Sequence, residues 1–582
     1  MQLNLFKGFH FRPALLDALR GYRRHHVTAD LGAGLTVACV ALPLAMAFGI
    51  ASGVKPEQGL ITAIIGGALV SIFGGSKVQI GGPAGAFVAM LYGISLQYGL
   101  ANMLLATMMA GVLLFLMGAL RMGQIIRYVP ISIVIGFTNG IAVVIMLSQL
   151  KDFLGLKIDS MPADFFSMLD TLAHYREGIN PYALGLGVAT FIGLAVWPKS
   201  SKLAHQRRKV LHDQAPPDTP ADDGGTRLAS TLARIPAPLV VLVAGTLAAF
   251  LMQMPVETIG SRFGGIPQTL PTPVLPSFDW QSARMLLMPT LAIALLGAIE
   301  SLLCARVADS MTHDKHDANQ ELMAQGIANF ATPLFGGIAV TGTIARTVTN
   351  IRSGGRTPVA GIIHAATLLI FMLVLAPLAV HIPMAVLAGI LMSVGFNMGD
   401  WRAFARLKLF SFNYRTILVS TFLLTVIFDL TVAVEVGLLL ASLFFIYRVS
   451  SLTRVARQAV PDEIATLPDG RRVGVWQVFG SLFFGSIGKI EAMTASPQPL
   501  PDVVVLEMHQ LINLDTTGLD ALQALNRVIT EDGGRLIIVA PNQQPLSLFR
   551  RSGFLDELGT KNLFTTLSDV YRELQPARNR QP

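Results

Sequence analysis

LGAIESLLCARVADSMTHDKHDANQELMAQGIANFATPLFGGIAVTGTIARTVTN, residues 296–350, decides how this chain is read. It sets Glu300 inside an apolar run, opens a helix at Gly342-Thr343 and places Arg346 one turn further along. A charge at mid-membrane depth costs about 2.5–3.5 kcal/mol even on lenient insertion scales. Two opposite charges in such a setting imply a polar cavity rather than a lipid-facing surface.

The surrounding composition supports a membrane setting. Of 582 residues, 52% are hydrophobic and only 14% charged, against about 25% charged in soluble globular domains. A helix crossing ~30 Å of hydrocarbon needs about 20 mostly apolar residues, and lipid leaves no partner for free backbone groups. Between Asp30 and Tyr447 the apolar runs predict a polytopic, all-α membrane domain of about fourteen segments, several too short to span alone. They fall at about 30–50, 59–74, 83–98, 100–119, 128–148, 181–197, 236–254, 285–304, 322–335, 342–351, 358–379, 383–398, 416–428 and 431–447. A charged, Pro-rich insert after Trp197 reads as a flexible cytoplasmic loop.

The net charge of +8 is carried mainly by short loops. Arg20/Arg23/Arg24, Arg121/Arg127, Arg207/Arg208/Lys209, Arg352/Arg356, Arg402/Arg406/Lys408 and Arg454/Arg457 all share one face if both termini are cytoplasmic. This distribution is a membrane topology signal, and nucleic acid is not expected as a partner. Cys39 and Cys304 both fall in apolar runs and read as buried thiols. The N-terminus lacks the apolar core and cleavage site of a signal peptide.

An internal repeat is visible. Phe73-Gly74-Gly75 is followed by SKVQI and Gly81-Gly82-Pro83-Ala84-Gly85; Phe335-Gly336-Gly337 is followed by IAVT and Gly342-Thr343-Ile344-Ala345-Arg346. With about seven segments between the copies, the halves run in opposite directions. Pro83 suits the first position of a half-helix, and Gly82 and Gly85 allow close backbone approach. Two such N-termini, each worth roughly half a positive charge, together with Arg346 predict an anion site. The competing reading is that these glycines only permit tight helix packing.

Glu300 is expected to take up a proton on one side of the membrane and release it on the other. The alternative is a permanent Glu300–Arg346 ion pair tying two helices together. Asn139 and His364 read as satisfied packing groups, while Glu435 stands on an apolar helix without an assigned role. The run 312–322 reads as a solvated loop, not a metal site. No nucleophile elbow, Walker loop or zinc motif occurs, so neither an enzyme nor a cofactor is expected. From about residue 458, strands alternate with helices, predicting a small cytoplasmic α/β domain.

The segments AGLTVACVALPLAMAFGIASG, GGPAGAFVAMLYG, GAIESLLCARVADSMT, HDANQELMAQGIANFATPLFGGI and LDTTGLDAL resemble the SulP, or sulfate permease, anion transporter family over nearly the whole length. The resemblance implies two inverted repeats of seven segments, divided into core and gate domains, followed by a STAS domain. It implies residues 1–28 as an N-terminal segment, 29–448 as the transport domain (repeats about 29–254 and 285–448), 449–457 as a linker and 458–576 as the STAS domain. A small anion would bind at Gly82, Pro83, Ala84, Gly85, Gly342, Thr343, Ile344 and Arg346, between the third and tenth segments. Glu300 falls on the acidic residue of segment eight, implying proton coupling. Sodium-coupled bicarbonate members have Asp and Thr at the positions of Glu300 and Cys304 and no Arg at 346, which argues against sodium. GAIESLLCA, the IART run and IFDLTVAVEVGLLLASLFF most resemble the bacterial aerobic C4-dicarboxylate carriers, implying uptake of succinate or fumarate; sulfate and bicarbonate are the alternatives, and a tethered sensor or a channel the rivals. A homodimer in a bacterial inner membrane is expected. Thr517 falls where related STAS proteins carry a phosphorylated Ser or Thr, although the Asp515-Thr516-Thr517-Gly518 loop also reads as a plain helix cap.

Overall fold

The computed structural model describes residues 11–123, 130–158, 161–162, 164–214, 236–276, 279–428, 430–495 and 499–575. Arg127, residues 215–235 of the charged insert, and the side chains of Arg207, Arg208 and Lys209 lie outside them. The chain divides into two units, Met1–Leu438 and Leu439–Pro582.

In the first unit the helices are α1 (Arg24–Ala51), α2 (Pro56–Phe73), α3 (Gly85–Tyr98), α4 (Leu100–Ala119), α5 (Ile131–Leu154), α6 (Pro181–Gln214) and α7 (Ala237–Leu251). The second repeat supplies α8 (Leu287–Thr312), α9 (Ala318–Ala331), α10 (Ile344–Arg352), α11 (Val359–Ala379), α12 (Met384–Met398), α13 (Phe412–Ile427) and α14 (Leu430–Leu452), whose end belongs to the second unit. Among the described residues seven helices are long and apolar enough to cross a membrane, and five more are apolar but shorter. Each of the fourteen expected runs overlaps one of the helices α1–α14; α9 and α10 are not among the twelve apolar ones. The segment before Arg24 holds one short helix, Ala14–Leu19. The insert departs from expectation at its start, since α6 continues to Gln214.

Close packing follows the small residues. A side chain on Gly326 of α9 would meet the backbone of Gly111 and Phe115 on α4 at 2.7 and 2.5 Å. Gly136 and Gly140 of α5 sit equally close to Thr421 and Thr425 of α13. Backbones approach this closely only where one partner has no Cβ. α4 packs on α9 and α8, and α1 on α11 and α10; α5 packs on α13 and α12, and α6 on α12 and α7; α1 also touches α12 and α7.

Two very short strands hold the repeats together. β1 (Gly81–Gly82) pairs antiparallel with β2 (Thr341–Gly342), in the register Gly81 to Gly342 and Gly82 to Thr341. The segments that follow the two Phe-Gly-Gly copies thus pair running in opposite directions, as an inverted repeat requires.

The second unit is a sheet with helices on both faces. β3 (Arg454–Gln458) runs antiparallel to β4 (Val473–Leu482), which is parallel to β5 (Val503–Glu507); β6 (Leu511–Leu514) pairs with the end of β4. β7 (Arg535–Val539) and β8 (Leu563–Phe564) complete it. Its helices are α15 (Gly488–Thr494), α16 (Thr516–Glu531), α17 (Gln543–Ser552) and α18 (Leu567–Leu574). Along β5 Val503 and Val505 enter one core, Val504 and Leu506 the other, the period-two alternation of a strand buried on both faces. The expected linker 449–457 is instead the end of α14 and most of β3. Between β4 and α15, Phe483–Ile487 run in a bend and turns.

Candidate functional site

The site is built at the β1–β2 crossing. Pairing keeps the chain extended through Ala84 (φ −122°, ψ 147°) and Thr343 (φ −113°, ψ 121°), so these residues precede the first helical residues Gly85 and Ile344. The expected helix starts at Pro83 and Gly342 are therefore displaced by two residues each. Neither N-terminus is capped by a side chain. Ala84 has no group to offer, and the Thr343 hydroxyl and N–H both donate to the Ile80 carbonyl, at 3.2 and 3.0 Å. In α3 the Phe87 N–H donates to the Ala84 carbonyl at 3.1 Å, so the first-turn groups without a side-chain cap are the N–H groups of Gly85 and Ala86, and those of Ile344, Ala345 and Arg346 in α10. Gly82, Pro83, Ala84, Gly85 and Gly342 are buried, whereas Thr343 is half-buried and Ile344 and Ala345 are exposed, giving the site one accessible side.

Arg346 lies inside this arrangement and is only 1% exposed. Its Nη1 reaches the Gly81 carbonyl at 3.5 Å, and its Nη2 has no hydrogen-bond partner. An unpartnered charged donor in the interior costs more than the 1–3 kcal/mol of a neutral one, so the geometry favours an anionic partner. Across the crossing, a Cβ on Gly342 would lie 1.6 Å from Nε2 of Gln79. Buried Gln79 donates through that nitrogen to the Ser301 carbonyl at 3.2 Å and to its hydroxyl at 3.1 Å.

α8 is sewn to the crossing along one stripe. The Thr341 hydroxyl donates to the Gly297 carbonyl at 3.2 Å, Ser301 receives Gln79, and the Cys304 thiol contacts the Thr347 hydroxyl at 3.2 Å. Thr347 in turn accepts the Ile80 N–H at 3.0 Å. Residue 300 stands roughly 60° around the helix from that stripe, so Glu300 borders the crossing and is half-buried. Among the described residues it makes no ion pair, so the permanent Glu300–Arg346 bridge is absent.

Other expectations resolve individually. Cys39 and Cys304 are free thiols, the latter buried. Asn139 is satisfied only in part: its Nδ2 donates to the Ile135 carbonyl at 2.8 Å, while its Oδ1 has no partner. His364 departs from the satisfied packing group expected of it: it is fully buried and both ring nitrogens lack partners. In the run 312–322, Asp314 pairs with Lys77 at 2.6 Å, and His316 with Asp309 of α8 at 2.7 Å. Glu435 is exposed and borders a cleft of about 670 Å³ lined also by α3, α5, α8 and α13. In the second unit Asp515 is the cap of α16, accepting the Gly518 N–H at 2.8 Å, and Thr517 is half-buried in the first turn.

Sequence reasoning missed Gln79, Thr347 and Asp30. Asp30 is fully buried on α1 and accepts the Arg356 N–H at 3.0 Å and the Tyr22 hydroxyl at 3.1 Å. The only linear signal was a polar residue inside an otherwise apolar run.

Two half-helices without side-chain caps, an inverted repeat and a buried arginine whose Nη2 has no partner describe a multi-pass membrane protein with a site suited to an anion. More narrowly, the chain belongs to the sulfate permease family, whose profile matches residues 27–421, with a STAS domain matching 465–570. It is 40% identical to a putative sulfate transporter of Bacillus subtilis, over 94% of this chain and 97% of that one. It is 32% identical to the bicarbonate transporter BicA of Picosynechococcus, over 90% and 92%. The solved transmembrane domain of a cyanobacterial BicA superposes with a TM-score of 0.60 at 30% identity, covering 71% of this chain and all but 2% of that domain (98%). SLC26A9 shares the fold, with a TM-score of 0.78 at 19% identity over 96% of this chain and 91% of that one.

Proposed function

We propose that this protein is a secondary carrier that moves a small oxyanion by alternating access, the anion lying between the N-termini of α3 and α10 and against Arg346. The observation that carries this reading is the buried Arg346 guanidinium with a free N–H beside two uncapped helix ends. Such a site neutralises a compact anion without a metal. The names of the similar proteins, sulfate and bicarbonate transporters, favour an inorganic oxyanion. A second reading, uptake of succinate or fumarate, is supported by GAIESLLCA and the IART run.

Glu300, bordering the site without an ion partner, is the group we assign to proton coupling. The basic clusters support cytoplasmic termini in a bacterial inner membrane. We assign the STAS domain to docking and regulation, within a homodimer, and Asp515 rather than a phosphate on Thr517 to ordering its loop.

Counterflow of labelled sulfate in proteoliposomes tests the carrier, with bicarbonate, succinate and fumarate as competitors, with and without a proton gradient. Trans-stimulated exchange is expected. Flux without trans-stimulation would make the protein a channel, and binding without flux a sensor.

A further inference from the structure

The crossing hangs on two Phe-Gly-Gly linkers, and each linker is gripped by the other repeat. The start of α9 holds the first linker. Gln320 Nε2 donates to the Phe73 carbonyl at 2.7 Å, and the Asp317 N–H donates to the Gly75 carbonyl at 3.1 Å. Oε2 of Glu321 accepts the N–H groups of Gly75 and Ser76 at 3.0 and 3.3 Å. The start of α2 holds the second linker: Gln58 Nε2 donates to the Gly336 carbonyl at 2.9 Å, and the Thr62 hydroxyl accepts the Ile338 N–H at 2.7 Å. Gln58 and Gln320 are each the third residue of their helix. The same position in each copy thus reaches into the other copy.

The residues that follow each Phe-Gly-Gly, Ser76 and Ile338, have their N–H groups taken by different side chains. The first repeat uses a hydroxyl, Thr62; the second uses a carboxylate, Glu321, which is fully buried. Oε1 of Glu321 accepts from the Ser301 hydroxyl at 3.3 Å and from Gln325 Nε2 at 3.0 Å, and among the described residues Glu321 has no ion pair. The four hydrogen bonds it accepts are the partners a buried carboxylate requires. Few residues separate Ser76 from Gly81, or Ile338 from Gly342, and both connections are buried for most of their length. A shift at either grip therefore moves β1 or β2.

We propose that Glu321 and Thr62 are positioning residues that set the gap between β1 and β2, and through it the size of anion the site selects. This rests on the crossing being the anion site. Glu321→Ala leaves the N–H groups of half-buried Gly75 and buried Ser76 unpaired. Glu321→Gln keeps an oxygen for them, while Gln325, whose Oε1 has no partner, turns to accept the new NH₂.

The test uses full-length protein in proteoliposomes, with sulfate and bicarbonate KM and kcat measured per folded molecule after size exclusion. Glu321→Ala and Thr62→Val each raise KM by about tenfold, the loss expected for one or two buried hydrogen bonds. They leave kcat within about twofold and shift the sulfate-to-bicarbonate KM ratio by about threefold or more; Glu321→Gln restores the ratio. An unchanged ratio in folded Glu321→Ala and Thr62→Val overturns the proposal. If Glu321→Ala does not fold, an unchanged ratio in Thr62→Val alone overturns it. Failure of the anion site itself reads differently: Arg346→Gln would then bind sulfate as the parent does.

Discussion

Gly82 lacks a Cβ at the place the Arg346 guanidinium fills: an atom built there lies 1.7 Å from Nη1. The glycine belongs to one repeat and the arginine to the other. The burial of Arg346 therefore depends on what residue 82 leaves out.

Gly82→Ala forces the guanidinium or β1 to move. Sulfate kcat/KM should fall by about tenfold or more, equivalent to ~1.4 kcal/mol, with normal expression. Wild-type transport in the alanine variant would contradict the placement of Arg346.

Arg346→Lys keeps the charge and loses the planar fork. A lysine ammonium is a point charge with a more tightly held hydration shell. Sulfate affinity by calorimetry should drop by about tenfold, and Arg346→Gln should drop further. Equal affinity in all three would place the anion elsewhere.

Glu300→Gln removes the only carboxylate bordering the crossing that has no ion pair or hydrogen bond among the described residues. Uptake should lose its dependence on an imposed pH gradient while binding stays measurable. A gradient response equal to the parent's would remove Glu300 from coupling.

Lys77 donates to Asp314 and holds its carboxyl below the ordinary carboxylate range. A depressed folded value gives a tie that is complete above the unfolded value of about 3.9 and is lost as pH falls through the lower folded one. Both side chains are close to half exposed, at 46% and 42%, which keeps the tie below about 1 kcal/mol. In Lys77→Met the Asp314 titration, followed by carboxyl NMR, should move up; an unmoved midpoint would assign the shift to another cause.

Asp515→Ala uncaps α16 and also removes the acceptor of the Phe484 N–H at 3.2 Å. The cost should be about 1 kcal/mol, read as faster amide exchange in the first turn of α16. Stoichiometric phosphate on Thr517 of cell-grown protein would argue for a switch rather than a cap.

The membrane helices were legible because each apolar run is a local property, and the repeat was legible because Phe-Gly-Gly recurs with the same downstream grammar. That grammar singled out Gly82, Gly342 and Arg346 as candidates. The helix starts were misplaced because Pro83 and Gly342 look like helix openers in isolation, whereas pairing across the repeats keeps both strands extended to Ala84 and Thr343. Gln79, Thr347 and Glu321 were invisible for a related reason. Their partners lie in other helices, so their work exists only in the folded register. β3 escaped notice because an exposed edge strand carries no clean alternation, with Arg454, Ala456 and Arg457 all facing out.

The pairing of Gly81 with Gly342 has a bearing on biogenesis. A nascent chain that has emerged only as far as α7 has already inserted the first half of its pocket, yet β1 has no partner and no arginine stands behind Gly82. Completion waits for translation to pass residue 346. The glycine edge stays open while the 264 residues from Gly82 to Arg346 are made, a little under half of synthesis, and a chain ending between α7 and that codon has helices but no pocket.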